Sequence, residues 1–357
     1  MEYHRLARTP GHRWWRTLLG TLFILVGGAI VIVFSYLVVT AAAVVAGRPN
    51  NVDGLPSFGD RVDLVLAFAT IAVLLPLTLL AARWIQRRPA GSLSSVTGRL
   101  RWRFLLTLLP VALIAVVVLL GGGLALSGSA GVEDSALAGW GPFLVSMGLL
   151  VLVVPLQAAA EEYLTRGWLL QAVGAWFRRP WVPIAFQALV FAAAHGWGTP
   201  WGFADLFVFG AVTGWLTVRT GGLEAAIALH VVNNLVAAGV AAAYNELTIT
   251  ETAADMPWQM FAVDLVVLPA YAVVVLILAQ RMNPATSGHV AGGPQHGEGA
   301  QGLGAGDGLV VLGLDGQGHF DRLPDPGGLG HGGGLGRGGD RLLELDRQAE
   351  RTDDHDR

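Results

Sequence analysis

Two adjacent carboxylates and an arginine stand at the end of a long apolar run. Glu162 and Arg166 are four residues apart, so on a helix they share one face in the order that favours an ion pair. Glu161 is turned about 100° away from Glu162, which leaves it free to meet groups on other helices. A carboxylate withdrawn from bulk water suits the role of a general base that activates water. Glu161 is therefore the candidate base.

Two histidines within apolar segments supply further candidate groups. Phe191 and His195 are four residues apart on one predicted helical face, and the three alanines between them allow close helix packing. His230 and Asn234 have the same spacing on another predicted helix. A carboxylate, two imidazoles and a carboxamide from three helices could together supply a base, donors to an oxyanion or ligands to a divalent metal.

Each of these features also has a purely structural interpretation. Glu161, Glu162 and Arg166 could form a charge cluster at a helix end near the membrane interface. Each histidine could serve only as a hydrogen-bonding group between helices. Ionisable groups inside a membrane span are costly and usually face the bundle interior, so their combination on three helices favours a chemical site.

The three patterns together resemble the CPBP family of intramembrane proteases, which includes the CAAX endopeptidases. The family motifs are Glu-Glu-x-x-x-Arg, Phe-x-x-x-His and His-x-x-x-Asn, and here they begin at Glu161, Phe191 and His230 in the same order. The resemblance covers roughly residues 160–235, and the sequence Arg-Thr-Gly-Gly from Arg219 is also similar to the family.

The resemblance implies a role for each motif residue. Glu161 would activate a water molecule with help from His195, while His230 and Asn234 would stabilise the tetrahedral oxyanion of a scissile peptide. Three further residues would support the site without taking part in the chemistry. They are Glu162, Arg166 and Phe191.

The resemblance leaves metal dependence open, because the family is often called a metalloprotease. A divalent ion such as Zn²⁺ would take Glu161, His195 and His230 as its ligands. These residues are spread over three predicted helices and lack the local His-Glu-x-x-His spacing of a zincin helix. No other cofactor is expected.

The composition places all of these residues in a membrane protein. Of the 357 residues, 53% are hydrophobic and 14% are charged, and the mean hydropathy is +0.55. A net charge of -3 gives no indication of nucleic-acid binding, and the lack of cysteine excludes disulfides and a cysteine nucleophile. We expect an all-α polytopic bundle of about eight transmembrane helices. The predicted spans are 18–46, 62–84, 104–127, 142–165, 181–196, 201–218, 224–243 and 259–280.

Arginines mark alternate ends of the predicted spans. Arginines occur before the first span and after the second, fourth, sixth and eighth spans. Loops 128–140 and 244–258, at the opposite ends of the spans, carry acidic residues and no arginine or lysine. By the positive-inside rule both termini are predicted to be cytoplasmic. The family resemblance implies a bacterial plasma membrane, with the lipid bilayer and a peptide or protein substrate as partners.

Five regions follow from this pattern. A cytoplasmic arm (1–17) precedes three transmembrane helices (18–139) and a catalytic core (140–245), and the last helix with its preceding loop occupies 246–283. Residues 284–357 are rich in glycine and lack apolar periodicity, which predicts a disordered tail. The five histidines of the tail leave metal binding as its alternative role, and its composition also fits translation from a shifted reading frame.

The depth of the two histidines is the main difficulty for this interpretation. On straight helices His195 would lie near the outer end of its span, whereas His230 would lie about 10 Å from the cytoplasmic end. A tilt or a break in the fifth or sixth span would bring them together. The predicted break points are Pro183, Gly196, Gly198, Pro200 and Gly202.

Three functions are compatible with these features. The leading one is an endopeptidase that uses glutamate-activated water on a peptide or protein at the membrane. A noncatalytic membrane scaffold or immunity protein with the same fold is the alternative. A small-solute transporter would need paired half-helices, which the sequence does not indicate. Asp63, Asp205 and Asp264 lie near predicted span ends, where we expect headgroups and water to solvate them.

Overall fold

The fold is a bundle of apolar helices. The computed structural model describes residues 1–50, 54, 56–127, 136–247 and 252–287, and within these ranges the regular structure is helical with no β-strand. The predicted tail lies outside the described residues from 288 onward. The helices of ten or more residues in these ranges are α1 Trp14–Val45, α2 Asp60–Ile85, α3 Trp102–Ser127, α4 Trp140–Gly174, α5 Trp181–Ala194, α6 Pro200–Thr220, α7 Glu224–Tyr244 and α8 Trp258–Met282.

The helix lengths confirm a polytopic membrane protein. Within the described ranges, seven helices are long and apolar enough to cross a bilayer, whereas α5 has only 14 residues. The predicted spans therefore agree with the structure in number and approximate position. The exception in length is α5, because the helix ends at Ala194, before the glycines that follow.

Tryptophan side chains mark the ends of these helices. Ten of the 12 tryptophans are exposed and lie within three residues of a helix end. Tryptophan favours the membrane–water interface, where its ring meets both apolar chains and polar headgroups. The helix ends therefore lie where two membrane interfaces are expected. These residues are Trp14, Trp15, Trp84, Trp102, Trp140, Trp176, Trp181, Trp197, Trp201 and Trp258.

Helix α4 extends well beyond its predicted end. It was expected to stop near residue 165, directly after the carboxylates, but it continues to Gly174 through a π-helical segment at Tyr163–Leu169. The expectation that the carboxylates end the helix is wrong, because the residues that follow, including Trp168 and Leu170, are fully buried in the bundle. A π-helical turn shifts the phase of the helix and is frequent at functional sites.

Helix α7 lies at the centre of the bundle. It packs against α3, α4 and α6, and every side chain from Glu224 to Val232 is buried. Ala225, Ala226 and Ala228 have no exposed surface, and such small side chains let neighbouring helices approach closely. Helix α1, by contrast, is mostly exposed along its length and lies at the periphery.

The connection between α5 and α6 contains the helix break that the sequence suggested. Residues 195–199 are not helical, and Gly196 and Gly198 have φ angles of 97° and 37°, which suit glycine. Pro200 is the first residue of α6, and Thr199 caps that helix by accepting a hydrogen bond from the Gly202 amide. Pro183 and Gly202 lie inside helices, so the prediction of breaks there is wrong.

The N-terminal arm packs against the helices at its first residues. The Tyr3 hydroxyl donates to the Leu93 carbonyl, and His4 Nε2 donates to the Arg178 carbonyl at 3.1 Å. Gly174 permits this approach, since a Cβ there would overlap the His4 carbonyl. The predicted arm (1–17) is therefore partly buried: the Tyr3 ring belongs to the apolar core and His4 is fully buried beside it.

Candidate active site

A fully buried carboxylate organises the centre of the site. Glu162 Oε1 accepts a hydrogen bond from Arg166 Nη1 at 3.1 Å, which confirms the ion pair expected from their spacing. The same oxygen accepts a hydrogen bond from His230 Nδ1 at 2.7 Å. Because a carboxylate oxygen accepts here, the Nδ1 proton of His230 is fixed and its Nε2 faces the other side. The sequence did not indicate this second contact, which joins α4 to α7.

Arg166 is held by groups from three helices. Its Nε donates to the Thr213 hydroxyl of α6 at 3.1 Å, and its Nη1 also donates to the Thr165 hydroxyl at 2.8 Å. The guanidinium stacks on the Phe191 ring of α5, 4.1 Å from the ring centroid. Such stacking and hydrogen bonding suit a buried guanidinium, whose charge is balanced by Glu162.

The Phe191 ring is where the three sequence motifs meet. Its centroid lies 4.6 Å from the His195 ring and 5.9 Å from the His230 ring, while Arg166 stacks on its face. The short α5 accounts for the predicted difference in depth between the two histidines. His195 directly follows the last residue of α5, and Phe191, one turn earlier, reaches α4 and α7. The structure therefore gathers the motif residues around one aromatic side chain.

Glu161 differs from its neighbour in both exposure and contacts. Its side chain is 17% exposed, whereas that of Glu162 is 0% exposed. Oε1 accepts a hydrogen bond from Gln157 Nε2 at 2.6 Å, and Oε2 has no hydrogen-bond partner among the described residues but lies 3.5 Å from His230 Nε2. One carboxylate oxygen of Glu161 is thus buried beside an imidazole without a hydrogen bond to a described residue.

Gln157 is a site residue that sequence reasoning missed. It lies one helical turn before Glu161 and is 3% exposed. Its Oε1 accepts a hydrogen bond from Asn234 Nδ2 at 3.0 Å, so that it joins the candidate base to the candidate oxyanion donor. The available signal was the i,i+4 spacing to Glu161, whereas the contact with Asn234 joins residues 77 positions apart.

His195 directs one nitrogen to its own helix. Its Nδ1 lies 2.8 Å from the Phe191 carbonyl, which can only accept, so Nδ1 carries the proton and Nε2 has the lone pair. The Thr252 hydroxyl donates to the His195 backbone carbonyl at 3.2 Å. His195 therefore lies at the helix break next to Phe191, and within the described part of the chain its Nε2 has no hydrogen bond to Glu161 or to another residue.

Comparison with known proteins bears on the same stretch of chain. Residues 142–236 match the family model described as type II CAAX prenyl endopeptidase Rce1-like. This stretch is similar to that family, and we call it the Rce1-like core. An uncharacterized protein of Bacillus subtilis (strain 168), YyaK, is 26% identical over 188 residues, which cover 49% of this chain and 60% of that relative. The chain thus spans less than two thirds of YyaK, and no solved structure matches it.

The match confirms the resemblance that the motifs indicated. The Rce1-like core runs from the start of α4 to the middle of α7 and includes Glu161, Phe191, His195, His230 and Asn234. Together with the apolar helices, it identifies an integral membrane protein related to a family of intramembrane endopeptidases.

The donors of the Rce1-like core do not form a metal site in this arrangement. Within the described ranges, no three His, Asp or Glu side chains are grouped so that they could hold a metal ion. Both ring nitrogens of His230 face carboxylates, and His195 directs Nδ1 to a carbonyl. Histidine ligands commonly direct their other ring nitrogen to such acceptors, so these bonds leave Nε2 of each histidine as the coordinating atom, and the ligand set of Glu161, His195 and His230 stays a prediction.

Two other aspartates flank the Rce1-like core from within the bundle. Asp205 of α6 and Asp264 of α8 are each 4% exposed, and their carboxyl groups lie within hydrogen-bonding range of each other. The expectation that headgroups solvate them is wrong, because α6 and α8 pack together and enclose both. Asp264 also lines a small cavity with Asn233 and Phe209.

Proposed function

We propose that this protein is an intramembrane endopeptidase that hydrolyses a peptide bond with a water molecule activated by Glu161. The observation that supports this most is the difference between the two adjacent carboxylates. Glu162 is buried and bound by Arg166 and His230, whereas Glu161 is partly exposed with Oε2 free of hydrogen bonds within the described residues. The Oε2 atoms of both carboxylates are buried without a hydrogen-bond partner among the described residues, but only the Glu161 side chain has an exposed part and lacks the ion pair with Arg166, so Glu161 is the better placed of the two to act as a base.

The chemical step uses groups at known positions. Glu161 Oε2 takes a proton from water as the water oxygen bonds to the scissile carbonyl carbon. His195 Nε2, which has a lone pair, accepts a hydrogen bond from the same water and helps to orient it. The proton held by Glu161 then passes to the leaving amine as the carbon–nitrogen bond breaks. Glu161 returns to its ionised form, and the products are one carboxylic acid and one amine, which ionise to a carboxylate and an ammonium group.

The oxyanion of the tetrahedral intermediate needs donors that are fixed before the reaction. Asn234 Nδ2 uses one of its two hydrogens on Gln157, and the second is free for the oxyanion. His230 Nε2 faces the same space beside Glu161 and donates when it carries a proton. Phe191, Arg166 and Glu162 hold these donors in place.

The substrate is proposed to be a peptide or protein associated with the membrane, cleaved in a bacterial plasma membrane. The exposed tryptophans at the helix ends support a bilayer around the helices. The arginine-rich ends of alternate spans support cytoplasmic placement of both termini. The matched family model names prenylated CAAX substrates, which makes a farnesylated CAAX peptide a suitable probe beside unmodified peptides.

Comparing the wild type with Glu161→Gln tests the proposal. Membranes from cells that carry each form are searched by mass spectrometry for new peptide termini, and both proteins are checked for equal membrane insertion. We expect termini that occur only with the wild type, since the amide cannot take the proton from water. If the same termini and the same cellular phenotype persist with Glu161→Gln, the protein is a noncatalytic scaffold.

A further inference from the structure

Gln157 uses both ends of its carboxamide inside the candidate site. Nε2 donates to Glu161 Oε1 at 2.6 Å, and Oε1 accepts from Asn234 Nδ2 at 3.0 Å. The side chain is 3% exposed, so water does not compete strongly for these bonds. One buried amide thus connects the candidate base on α4 with the candidate oxyanion donor on α7.

The orientation of this amide is determined by its two partners. An ionised carboxylate can only accept, so the NH₂ group of Gln157 must face Glu161. The Asn234 NH₂ group then meets the remaining oxygen. A flipped amide would place oxygen against oxygen and NH₂ against NH₂, losing both bonds. The arrangement therefore has one favourable state, in which the positions of Glu161 and Asn234 depend on each other.

The two bonds also determine which atoms remain for chemistry. With Oε1 occupied by Gln157, the Glu161 carboxylate presents Oε2 toward His230 Nε2 at 3.5 Å. With one hydrogen used, the Asn234 amide plane is fixed and its second hydrogen has a defined direction. Displacing a catalytic group by about 1 Å costs roughly 100-fold in rate, so such fixation matters for turnover.

We infer that Gln157 is a positioning residue that aligns the Glu161 base with the Asn234 oxyanion donor. The inference rests on the proposed function, because it assigns Gln157 a role through those two groups. Gln157 lies outside the three sequence motifs, and its side chain bonds to a residue of the first motif and a residue of the third. A purely structural role would affect folding alone, so turnover is the property that separates the two.

Two substitutions of similar size at this position separate alignment from packing. Gln157→Met fills the same space and removes both hydrogen bonds. Gln157→Glu keeps the acceptor for Asn234 but places a second carboxylate next to Glu161, so that the two must share a proton. The matched control is Gln187→Met, because Gln187 is also fully buried but donates to the Ile184 and Gly210 carbonyls away from these groups.

The assay uses a synthetic peptide that spans a cleavage site mapped by comparing wild-type and Glu161→Gln membranes. In proteoliposomes, we expect Gln157→Met to lower kcat roughly 100-fold with KM changed by less than about threefold. We expect Gln157→Glu to lower kcat further still. Gln187→Met should lose thermal stability at most, with kcat within about twofold of the wild type.

A higher kcat for Gln157→Glu than for Gln157→Met would overturn the inference. A structural role predicts that Gln157→Glu, which keeps the Asn234 bond, is milder than Gln157→Met, and that both lower the unfolding temperature without lowering kcat. Wild-type kcat in either folded variant also contradicts alignment. If Gln157→Met does not fold, the kcat of Gln157→Glu is compared with that of the wild type, and an unchanged kcat contradicts the positioning role. Retained cleavage by Glu161→Gln would instead refute the proposed function, and this inference with it.

Discussion

Adjacent residues of the same type have different environments in this protein. Glu161 and Glu162 share the end of one apolar run, yet Glu162 is fully buried and paired with Arg166, whereas the Glu161 side chain is partly exposed and bound by Gln157. The helical phase predicted that Arg166 pairs with Glu162 and not with Glu161, but both carboxylates meet His230, one at each ring nitrogen. The sequence could not predict Gln157 as the link to Asn234, since that contact depends on how α4 and α7 pack.

Removing one partner of the buried ion pair should cost more than removing both. We expect Arg166→Met to lower the free energy of unfolding by about 3 kcal/mol, because Glu162 stays buried with its charge uncompensated by arginine. The free energy of unfolding should fall clearly less in the double variant Glu162→Gln/Arg166→Met, because neither member of the ion pair then carries a charge. Thermal and denaturant unfolding in detergent, followed by tryptophan fluorescence, measures both. An equal loss in the single and double variants would contradict this account.

At the level of elements, the turn between α6 and α7 positions the third motif. Arg101 binds Glu224 through two nitrogens, at 2.9 and 2.5 Å, and so fixes the first turn of α7. The Val96 amide donates to the Gly221 carbonyl, which holds the turn against the preceding loop. The sequence indicated this turn only through family resemblance, because Arg101 is 123 residues from Glu224.

Gly222 should be intolerant of any side chain. A Cβ there would overlap Glu224 Oε2 and lie 2.5 Å from Arg101 Nη2, displacing the ion pair that anchors α7. We expect Gly222→Ala to lower the free energy of unfolding by about 1 to 3 kcal/mol and to reduce peptide cleavage. Gly148→Ala is the matched control, since a Cβ at Gly148 meets nothing within 4 Å. Equal stability of the two variants would show that the turn can relax.

The helix boundaries show where sequence reasoning at this level succeeds and fails. The apolar runs predicted the positions of the spans closely, because a helix that crosses a bilayer needs about 20 apolar residues. The end of α4 was missed, since Arg166 and Gln171 interrupt the apolar pattern yet are buried by polar partners within the protein. Periodicity does not reveal such partners.

For the molecule as a whole, the first residues of the chain belong to the folded structure. His4 and Tyr3 pack beside Gly174 and the loop that contains Leu93. Burial lowers the pKa of the His4 imidazole from its ordinary value of 6.5, while the Arg178 carbonyl and Glu2 oppose that shift. The docked arm therefore favours neutral His4, and docking connects the chain terminus to the helices of the site.

The docking of this arm should weaken in acid. Because the folded pKa lies below the unfolded one, the stabilisation is complete above about pH 6.5 and is lost as the pH falls through the folded value. The chain has no cysteine, so Arg8→Cys gives a unique site for a spin label on the arm. We expect the mobility of the label to rise below pH 6.5. His4→Gln, which gains no charge, should abolish the change, and a persistent change would exclude His4 as its source.

The buried Asp205 and Asp264 illustrate what the sequence could not show at this scale. Each lies near the start of an apolar helix, where a single-helix view places it close to the interface. The packing of α6 against α8 turns both carboxyl groups inward, away from the headgroups. Burial of this kind depends on which helices are neighbours, and composition does not determine that.

The length of α5 sets a condition on the surrounding lipid. Fourteen residues rise about 21 Å, whereas the hydrocarbon layer of a typical bilayer is about 30 Å thick. Exposed tryptophans at both ends, Trp181 and Trp197, hold this short helix to the two interfaces. We therefore expect the bilayer to be thinner beside α5, which brings headgroups and water closer to His195. The proposed hydrolysis consumes water, and we expect this hydrophobic mismatch to bring water close to the proposed site from within a membrane.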